Sequence, residues 1–170
     1  FMLSILVKLY GRFGDLDRAF KVVETYPAKY GFELNATVYT CLMSSCILND
    51  YVERALKLFE KMKRSKCSPD VKTYVTLING CLKKEKLLTE AVKLVDDAMG
   101  LGEARCSGPK APLEHETIEG VLSAITRCRK SPELGVPLME RLRKAGIEVF
   151  LFGSSSASLR LPFGTSSAPL

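Results

Sequence analysis

The 170-residue chain contains a single histidine, His115, and no tryptophan. One histidine excludes metal sites built on two histidines, including the HExxH helix of zinc hydrolases. None of the six cysteines forms a CxxC pair, which argues against zinc ribbons and thioredoxin-type redox motifs. We therefore expect reduced, partly buried thiols, no metal and no cofactor. Gly-rich phosphate loops and G-x-S-x-G elbows are also lacking, so the sequence predicts a protein that is not an enzyme.

Long apolar runs are lacking as well. No run approaches the roughly 20 residues needed to cross a bilayer, so we expect no membrane partner. Apolar residues make up 46% of the chain and charged residues 26%, which is typical of a folded protein. The net charge of +6 permits a polyanionic partner without requiring one. Because the chain begins at Phe1 without an initiator Met, we expect a fragment or a processed form.

An internal repeat organises the first hundred residues. Residues recur in phase as Tyr39 and Tyr74, then Leu42 and Leu77, both 35 apart, and as Ala19, Ala55 and Ala91, 36 apart. Apolar residues within each repeat follow the i, i+3, i+4, i+7 spacing of a helix face, twice per repeat. A single helix pair cannot bury both of its faces, so neighbouring pairs must stack. The sequence predicts an all-α, right-handed α-solenoid of about four antiparallel helix pairs, the last degenerate.

The predicted boundaries follow the repeat. They are unit one at 1–35, unit two at 36–70, unit three at 71–99, a linker at 100–112, unit four at 113–150, and a disordered tail at 151–170. In unit two, Asp50 followed by Glu53 predicts a capping box that opens the second helix. In unit four, Ser131 with Pro132 predicts the start of the second helix. Pro137 should kink or shorten that helix, and Gly146 should end it.

The repeats resemble the pentatricopeptide repeat. The segments VKTYVTLINGCLKKEKLLTEAVKLVDDAM and ATVYTCLMSSCILNDYVERALKLFEKMKRSKCSPD are similar to its pattern VxTYNTLIxGxxKxGxxxEAxxLxxxM. SILVKLYGRFGDLDRAFKVVE is similar to the same pattern around its turn. The similarity covers residues 1–99 well and residues 113–150 poorly. It implies a solenoid that binds single-stranded RNA and reads about one base per repeat.

The resemblance also implies which residues read the bases. In the family, one reading residue is the fifth of the motif and the other is the last. Carried onto this chain, Ser4 with Asn35 resembles a pair that favours adenine, and Thr40 with Asp70 resembles a pair that favours guanine. A short hydroxyl donates or accepts, while the amide or carboxylate selects the complementary edge of the base.

Other positions depart from the family pattern. Val75 occupies the fifth position of unit three and Glu119 that of unit four, and neither resembles a base-reading residue. The second position, where the family usually has an aliphatic wedge between bases, holds Phe1, Thr37 and Lys72. Phe1 is suited to stacking on a base, and Lys72 to contacting a phosphate.

The resemblance implies a part of a longer array that acts in RNA processing, stability, editing or translation in the mitochondrion or chloroplast. Possible partners, besides single-stranded RNA, are RNA-processing proteins; no small-molecule substrate is expected. The alternative is a tetratricopeptide-like scaffold that binds a peptide in the same concave groove. A stretch with two readable units should bind RNA weakly, since each base contact discriminates by roughly 1–3 kcal/mol.

Overall fold

The computed structural model describes residues 2–101 and 111–147. Phe1, residues 102–110 of the predicted linker, the end of unit four and the predicted tail lie outside the described residues. The described part contains no strand and eight α-helices: α1 Met2–Arg12, α2 Leu16–Tyr30, α3 Ala36–Leu48, α4 Val52–Arg64, α5 Val71–Cys81, α6 Leu88–Met99, α7 His115–Arg127 and α8 Val136–Lys144. None of these eight helices has the length and apolar character that crossing a membrane requires.

The helices form two layers. Helices α1, α3, α5 and α7 contact one another in that order and make an inner layer, while α2, α4, α6 and α8 lie outside it. The second helix of each unit also packs on the first helix of the next unit, as α2 does on α3 and α4 on α5. The predicted all-α solenoid of antiparallel helix pairs is therefore confirmed.

The repeated small and aromatic residues lie in the core. Ala19, Ala55 and Ala91 are completely buried near the start of α2, α4 and α6, where a larger side chain would separate the two helices of a pair. Tyr39 and Tyr74 are buried as well, and each hydroxyl has a hydrogen-bond partner: Oη of Tyr74 donates to Asp97 Oδ2 at 3.3 Å. These residues stabilise the packing of each unit and do not stack on a ligand.

The turn inside unit two differs from the prediction. Asp50 is not the N-cap of α4; it has a φ of +66°, while Tyr51 precedes the helix and makes no side-chain cap. Gly14 has the equivalent place in unit one, with a φ of +77°. The short connection requires a left-handed residue, and aspartate adopts that conformation more readily than most side chains.

The second helix of unit four also begins differently from the prediction. Ser131 is not an N-cap, because Lys130 has that position and Ser131–Gly135 forms a π-helical turn. The α-helix starts only at Val136, with Pro137 in its first turn, where a residue without a backbone N–H is tolerated. Gly146 follows the helix with a φ of +76°, as predicted for a stop.

A partly buried ion pair holds α8 against α6. Arg141 Nη2 lies 3.1 Å from Asp96 Oδ2, while Asp96 Oδ1 and Arg141 Nε are buried without a hydrogen bond in the described part of the chain. Burial raises the pKa of Asp96, and the nearby Arg141 opposes that rise. The pair therefore links unit four to unit three, while one oxygen and one nitrogen of its two side chains keep no hydrogen-bond partner among the described residues.

Neighbouring units meet through the same positions each time. A Cβ on Gly11 would clash with the side chain of Ser45, and a Cβ on Gly80 would lie 2.8 Å from Ile47 Cδ1. Each of these close approaches joins successive inner helices and contains one glycine, so the glycine lets the two backbones approach. The turns are joined too, because Asn49 Nδ2 donates to the Gly11 carbonyl at 2.8 Å.

Candidate nucleic-acid interface

The last residue of unit one and of unit two caps the inner helix that follows it. Asn35 Oδ1 accepts a hydrogen bond from Val38 N at 3.0 Å, and Asp70 Oδ1 accepts one from Thr73 N at 2.7 Å. Both capping residues have extended backbones and exposed side chains. The two predicted reading residues therefore stand at the starts of α3 and α5 with part of each polar group still available to solvent.

Thr40 lies one helical turn into α3 and is only 6% exposed. Its hydroxyl oxygen is 2.9 Å from the Ala36 carbonyl oxygen and 2.8 Å from Thr73 Oγ1. Thr73 in turn donates to Asp70 Oδ1 at 2.6 Å. The structure therefore connects Thr40 and Asp70, the predicted guanine-reading pair, through a buried hydroxyl that sequence reasoning missed.

The number of protons determines the direction of this chain of hydrogen bonds. Each threonine has one hydroxyl proton, and the Asp70 carboxylate is the strongest acceptor within reach of Thr73. Thr73 therefore donates to Asp70 and accepts from Thr40, which shares its proton with the Ala36 carbonyl. The second Asp70 carboxylate oxygen makes no hydrogen bond or ion pair within residues 2–101 and 111–147, and it is free to accept from a ligand.

The adenine-type pair has different surroundings. Val38 stands where unit three has Thr73, so the position between Ser4 and Asn35 contains no hydroxyl. Ser4 is half-buried on α1, whereas Asn35 is exposed. The two predicted pairs thus share the backbone cap, and the Thr40/Asp70 pair is in addition connected through the Thr73 hydroxyl.

The remaining predicted site residues occupy the same part of each inner helix. Thr37 and Lys72 are exposed in the first turns of α3 and α5, and Val75 is half-buried on α5. Glu119 is half-buried on α7, four residues after its first residue, the spacing that Val75 has on α5. Phe1 lies outside the described residues.

A row of basic residues was not identified from the sequence. Arg12 and Arg127 are the exposed last residues of α1 and α7, and Lys83 is exposed two residues after the end of α5. Each lies eight residues beyond the fifth position of its motif, which Ser4, Val75 and Glu119 occupy. At about 100° per residue, eight residues bring each cation about 80° around the helix axis from that position, and the equivalent residue of α3 is the apolar Leu48. The repeat phase is the signal that would have found them.

The lysine-rich end of α4 belongs to the outer layer. Lys63 Nζ lies 3.2 Å from Asp97 Oδ2 on α6 and 3.8 Å from Glu60 Oε1 on its own helix, so it forms ion pairs with both. This cluster therefore lies on the second helix of unit two, away from the inner layer.

The cysteines and His115 make no reactive centre in the described part of the chain. Five cysteines are free, and Cys106 lies outside the described residues. Burial raises the pKa of Cys46 to about 11 and that of Cys81 to about 12, so both stay protonated and unreactive at neutral pH. Within residues 2–101 and 111–147, no three His, Cys, Asp or Glu side chains are grouped to hold a metal.

Two family models match the chain. The model of the PPR repeat family matches residues 34–83, and that of the PPR repeat matches residues 1–25. A pentatricopeptide repeat-containing protein of Arabidopsis thaliana is 28% identical over 162 residues, which are 92% of this chain and 31% of that protein. Another from the same organism, named chloroplastic, is 30% identical over 69 residues, 41% of this chain and 10% of that protein.

Solved structures agree with the fold. The crystal structure of the pentatricopeptide repeat protein PPR10 in complex with an 18-nt psaJ RNA element superposes with a TM-score of 0.62 at 16% identity. The match covers 84% of this chain and 20% of PPR10. The chain thus spans about a third or less of the proteins it matches. The phase of the repeats and the stacked helix pairs agree with the two matching models, which identify pentatricopeptide repeats at residues 1–25 and 34–83.

Proposed function

We propose that the chain binds single-stranded RNA along the exposed side of α1, α3, α5 and α7, which we call the inner face. Ser4 with Asn35 would read adenine, and Thr40 with Asp70 would read guanine. The observation that carries this proposal is the chain of hydrogen bonds from Thr40 through Thr73 to Asp70. Through Thr73 of unit three it holds the two reading residues of unit two in one arrangement, as a base-reading site requires.

The chemistry of Asp70 suits guanine. Guanine presents two adjacent donors, N1–H and N2–H₂, whereas the other three bases do not present such a pair on that edge. A carboxylate that keeps one free oxygen at the start of α5 accepts from those donors. Lys72, exposed two residues later, and the basic row of Arg12, Lys83 and Arg127 would lie near the phosphates. Phe1 and Thr37 would lie beside the bases.

From the matching repeat models we further propose a role in organellar RNA processing, stability, editing or translation, together with RNA-processing proteins. The chloroplast or mitochondrion is the proposed location, supported by the relatives named chloroplastic. The chain itself would recognise RNA, and any catalysis would come from its partners.

The test uses isotope-labelled protein and the RNA octamers CCCAGCCC and CCCCCCCC in NMR titrations. We expect micromolar or weaker binding to CCCAGCCC, with the amide shifts of Thr40, Thr73 and Asp70 changing most, and still weaker binding to the cytosine octamer. The matched variant is Asp70→Asn, which keeps the N-cap but replaces one acceptor oxygen by a donor. It should move the preference of that register from guanine to adenine, in CCCAACCC.

Equal weakening on every RNA would refute the base-reading assignment. The peptide-scaffold alternative predicts a different salt response. RNA binding should weaken steeply between 50 and 200 mM salt, at about 0.7 log unit per log unit of salt for each phosphate contacted. Binding that is insensitive to salt would favour the peptide scaffold.

A further inference from the structure

A cavity of about 320 Å³ opens in the outer layer between α2 and α4, and we call it the outer pocket. Side chains of these two helices form most of its walls, and Tyr39 and Leu42 of α3 form its floor. The lining is mainly apolar, with Glu24 of α2 and Lys61 of α4 as its two charged residues. Its volume is within the range of cavities that bind a ligand.

The equivalent place between α4 and α6 is filled by an aromatic ring. Phe59 is 3% exposed, and its ring centroid lies 5.4 Å from that of Tyr74 in an edge-to-face arrangement. Lys63 Nζ lies 5.1 Å from the Phe59 centroid and 3.2 Å from Asp97 Oδ2. Asp97 Oδ2 also accepts a hydrogen bond from the Tyr74 hydroxyl. A ring and an ion pair therefore close the junction between units two and three.

The outer pocket exists because unit one lacks these two side chains. Thirty-six residues before Phe59 the chain has Val23, and thirty-six residues before Lys63 it has Pro27. Both Val23 and Pro27 line the outer pocket. The floor is the same at both junctions, since Tyr39 has the place of Tyr74. The outer pocket is therefore the place of a ring that this junction does not supply.

The charge beside the outer pocket is reversed relative to the closed junction. Lys61 has the place that Asp97 has one repeat later. Lys61 and Glu24 are both exposed, and neither side chain makes an ion pair within residues 2–101 and 111–147. Helix α2 carries three basic and two acidic residues and α4 five and two, so the two helices have a net charge of +4. This surrounding charge favours an acidic partner.

We propose that the outer pocket is a docking site for a partner protein that inserts an aromatic side chain flanked by carboxylates. The ring takes the place that Phe59 has at the next junction, against the ring of Tyr39. A flanking carboxylate pairs with Lys61, as Asp97 pairs with Lys63 but with the two charges exchanged. The outer pocket lies on the layer opposite the inner face, so this inference does not depend on RNA binding.

A nucleobase fits the outer pocket less well than a phenyl ring. Three of the side chains that line it can form hydrogen bonds: Glu24, Lys61 and Tyr39. The first two are exposed, and the Tyr39 hydroxyl already lies 3.3 Å from Ser65 Oγ. The polar edge of a base would therefore lose its hydrogen bonds to water without replacement, whereas an apolar ring loses none.

The experiment titrates the isotope-labelled 170-residue chain with the peptide acetyl-GDFEG-amide. We expect a dissociation constant of about 1 mM or tighter, with the methyl signals of Val23, Leu42 and Leu58 changing most. The matched peptide GDAEG lacks the ring and should bind at least tenfold more weakly. GKFKG keeps the ring with the opposite charge and should also bind more weakly than GDFEG.

Two variants test the ring and the charge separately. Val23→Phe copies the residue of the next unit, so it should remove peptide binding while keeping Tm at or above that of the wild-type chain. Lys61→Glu should reverse the preference between GDFEG and GKFKG. Lys86→Glu makes the same change of net charge at an exposed residue that does not line the outer pocket, and it should alter neither affinity.

The proposal has clear contrary outcomes. Equal binding of GDFEG and GDAEG would show that no ring is accepted, and so would a lowered Tm for Val23→Phe. An unchanged preference in Lys61→Glu would remove the role of that cation. If the RNA octamer CCCCCCCC moves the same methyl signals and competes with GDFEG, a nucleic acid is the occupant and the proposal is overturned. Each of these readings is independent of base preference on the inner face.

Discussion

Replacing Thr73 by valine tests the link between the two predicted reading residues. Valine keeps nearly the same volume in a completely buried position but removes the hydroxyl that bonds to Thr40 and Asp70 at 2.8 and 2.6 Å. Thr40 retains the Ala36 carbonyl, and Asp70 retains the Thr73 amide. Two hydrogen bonds are thus lost without a cavity.

The expected cost follows from the surroundings of the two bonds. A neutral hydrogen bond contributes about 0.5–1.5 kcal/mol, and one to a charged group contributes more. Asp70 is exposed, so a hydrogen bond from water replaces most of the stabilisation that its carboxylate loses with the Thr73 hydroxyl. We expect Thr73→Val to lower the free energy of unfolding by about 1–2 kcal/mol in urea titrations, with an unchanged m-value.

Two matched variants make this prediction specific. Thr73→Ser keeps the hydroxyl and loses only a methyl group. If it lowers the free energy of unfolding more than Thr73→Val does, the hydrogen bonds of Thr73 to Thr40 and Asp70 do not have the stabilising role assigned to them. Val38→Thr introduces a hydroxyl at the equivalent position of the preceding helix. In the RNA titration, Thr73→Val should reduce the preference for guanine over adenine at the Asp70 register. An unchanged preference would show that Asp70 reads the base without this positioning.

Three further predictions follow from other contacts. Gly80→Ala should destabilise the chain by about 1–3 kcal/mol, because the new Cβ meets the Ile47 side chain. Adding Ile47→Ala should restore much of that stability, and losses that simply add in the double variant would contradict a clash between the two side chains. Lys83→Glu should reduce the salt slope of RNA binding by about 0.7, whereas Lys57→Glu on the outer layer should leave it unchanged. Burial raises the pKa of Asp96, so the folded state takes up a proton at a higher pH than the unfolded state does. In urea titrations, the wild-type chain should therefore gain stability relative to Asp96→Asn as pH falls from 7 towards 4. A loss of stability over that range would contradict the raised pKa of Asp96.

The helix pairs were predictable because their signals are local. Apolar spacing within about a dozen residues defines each helix, and the buried alanines recur at a fixed interval, as Ala55 and Ala91 do. The N-caps Asn35 and Asp70 also follow from residues next to the helices they begin. Asp50 was mistaken for such a cap, since the same side chain suits a left-handed turn residue, and only the length of the connection decides between them.

The candidate site was less predictable because its contacts cross between units. The resemblance named Thr40 and Asp70 but contained no reason to connect them through Thr73, whose partner Thr40 is 33 residues away. The sequence does not tell which polar groups the buried Thr73 hydroxyl meets. The basic residues Arg12 and Lys83 were missed for a different reason: single exposed cations become a row only when the units are stacked.

The spacing between reading positions is set by contacts at both ends of each inner helix. Near its start, α5 is tied to α3 through Thr73 and Thr40, and near its end Gly80 packs on Ile47. Beyond the helix, Lys84 bonds to the turn of unit two at Asp50. Because these contacts lie at three heights along α5, they hinder both tilting and sliding against α3. A side chain that widens the contact at Gly80 should therefore tilt α5 about its start, leaving the Thr40–Asp70 link intact while moving the basic end away from the phosphates. For Gly80→Ala this predicts a lower RNA affinity with an unchanged preference for guanine, and a loss of preference at constant affinity would contradict the tilt.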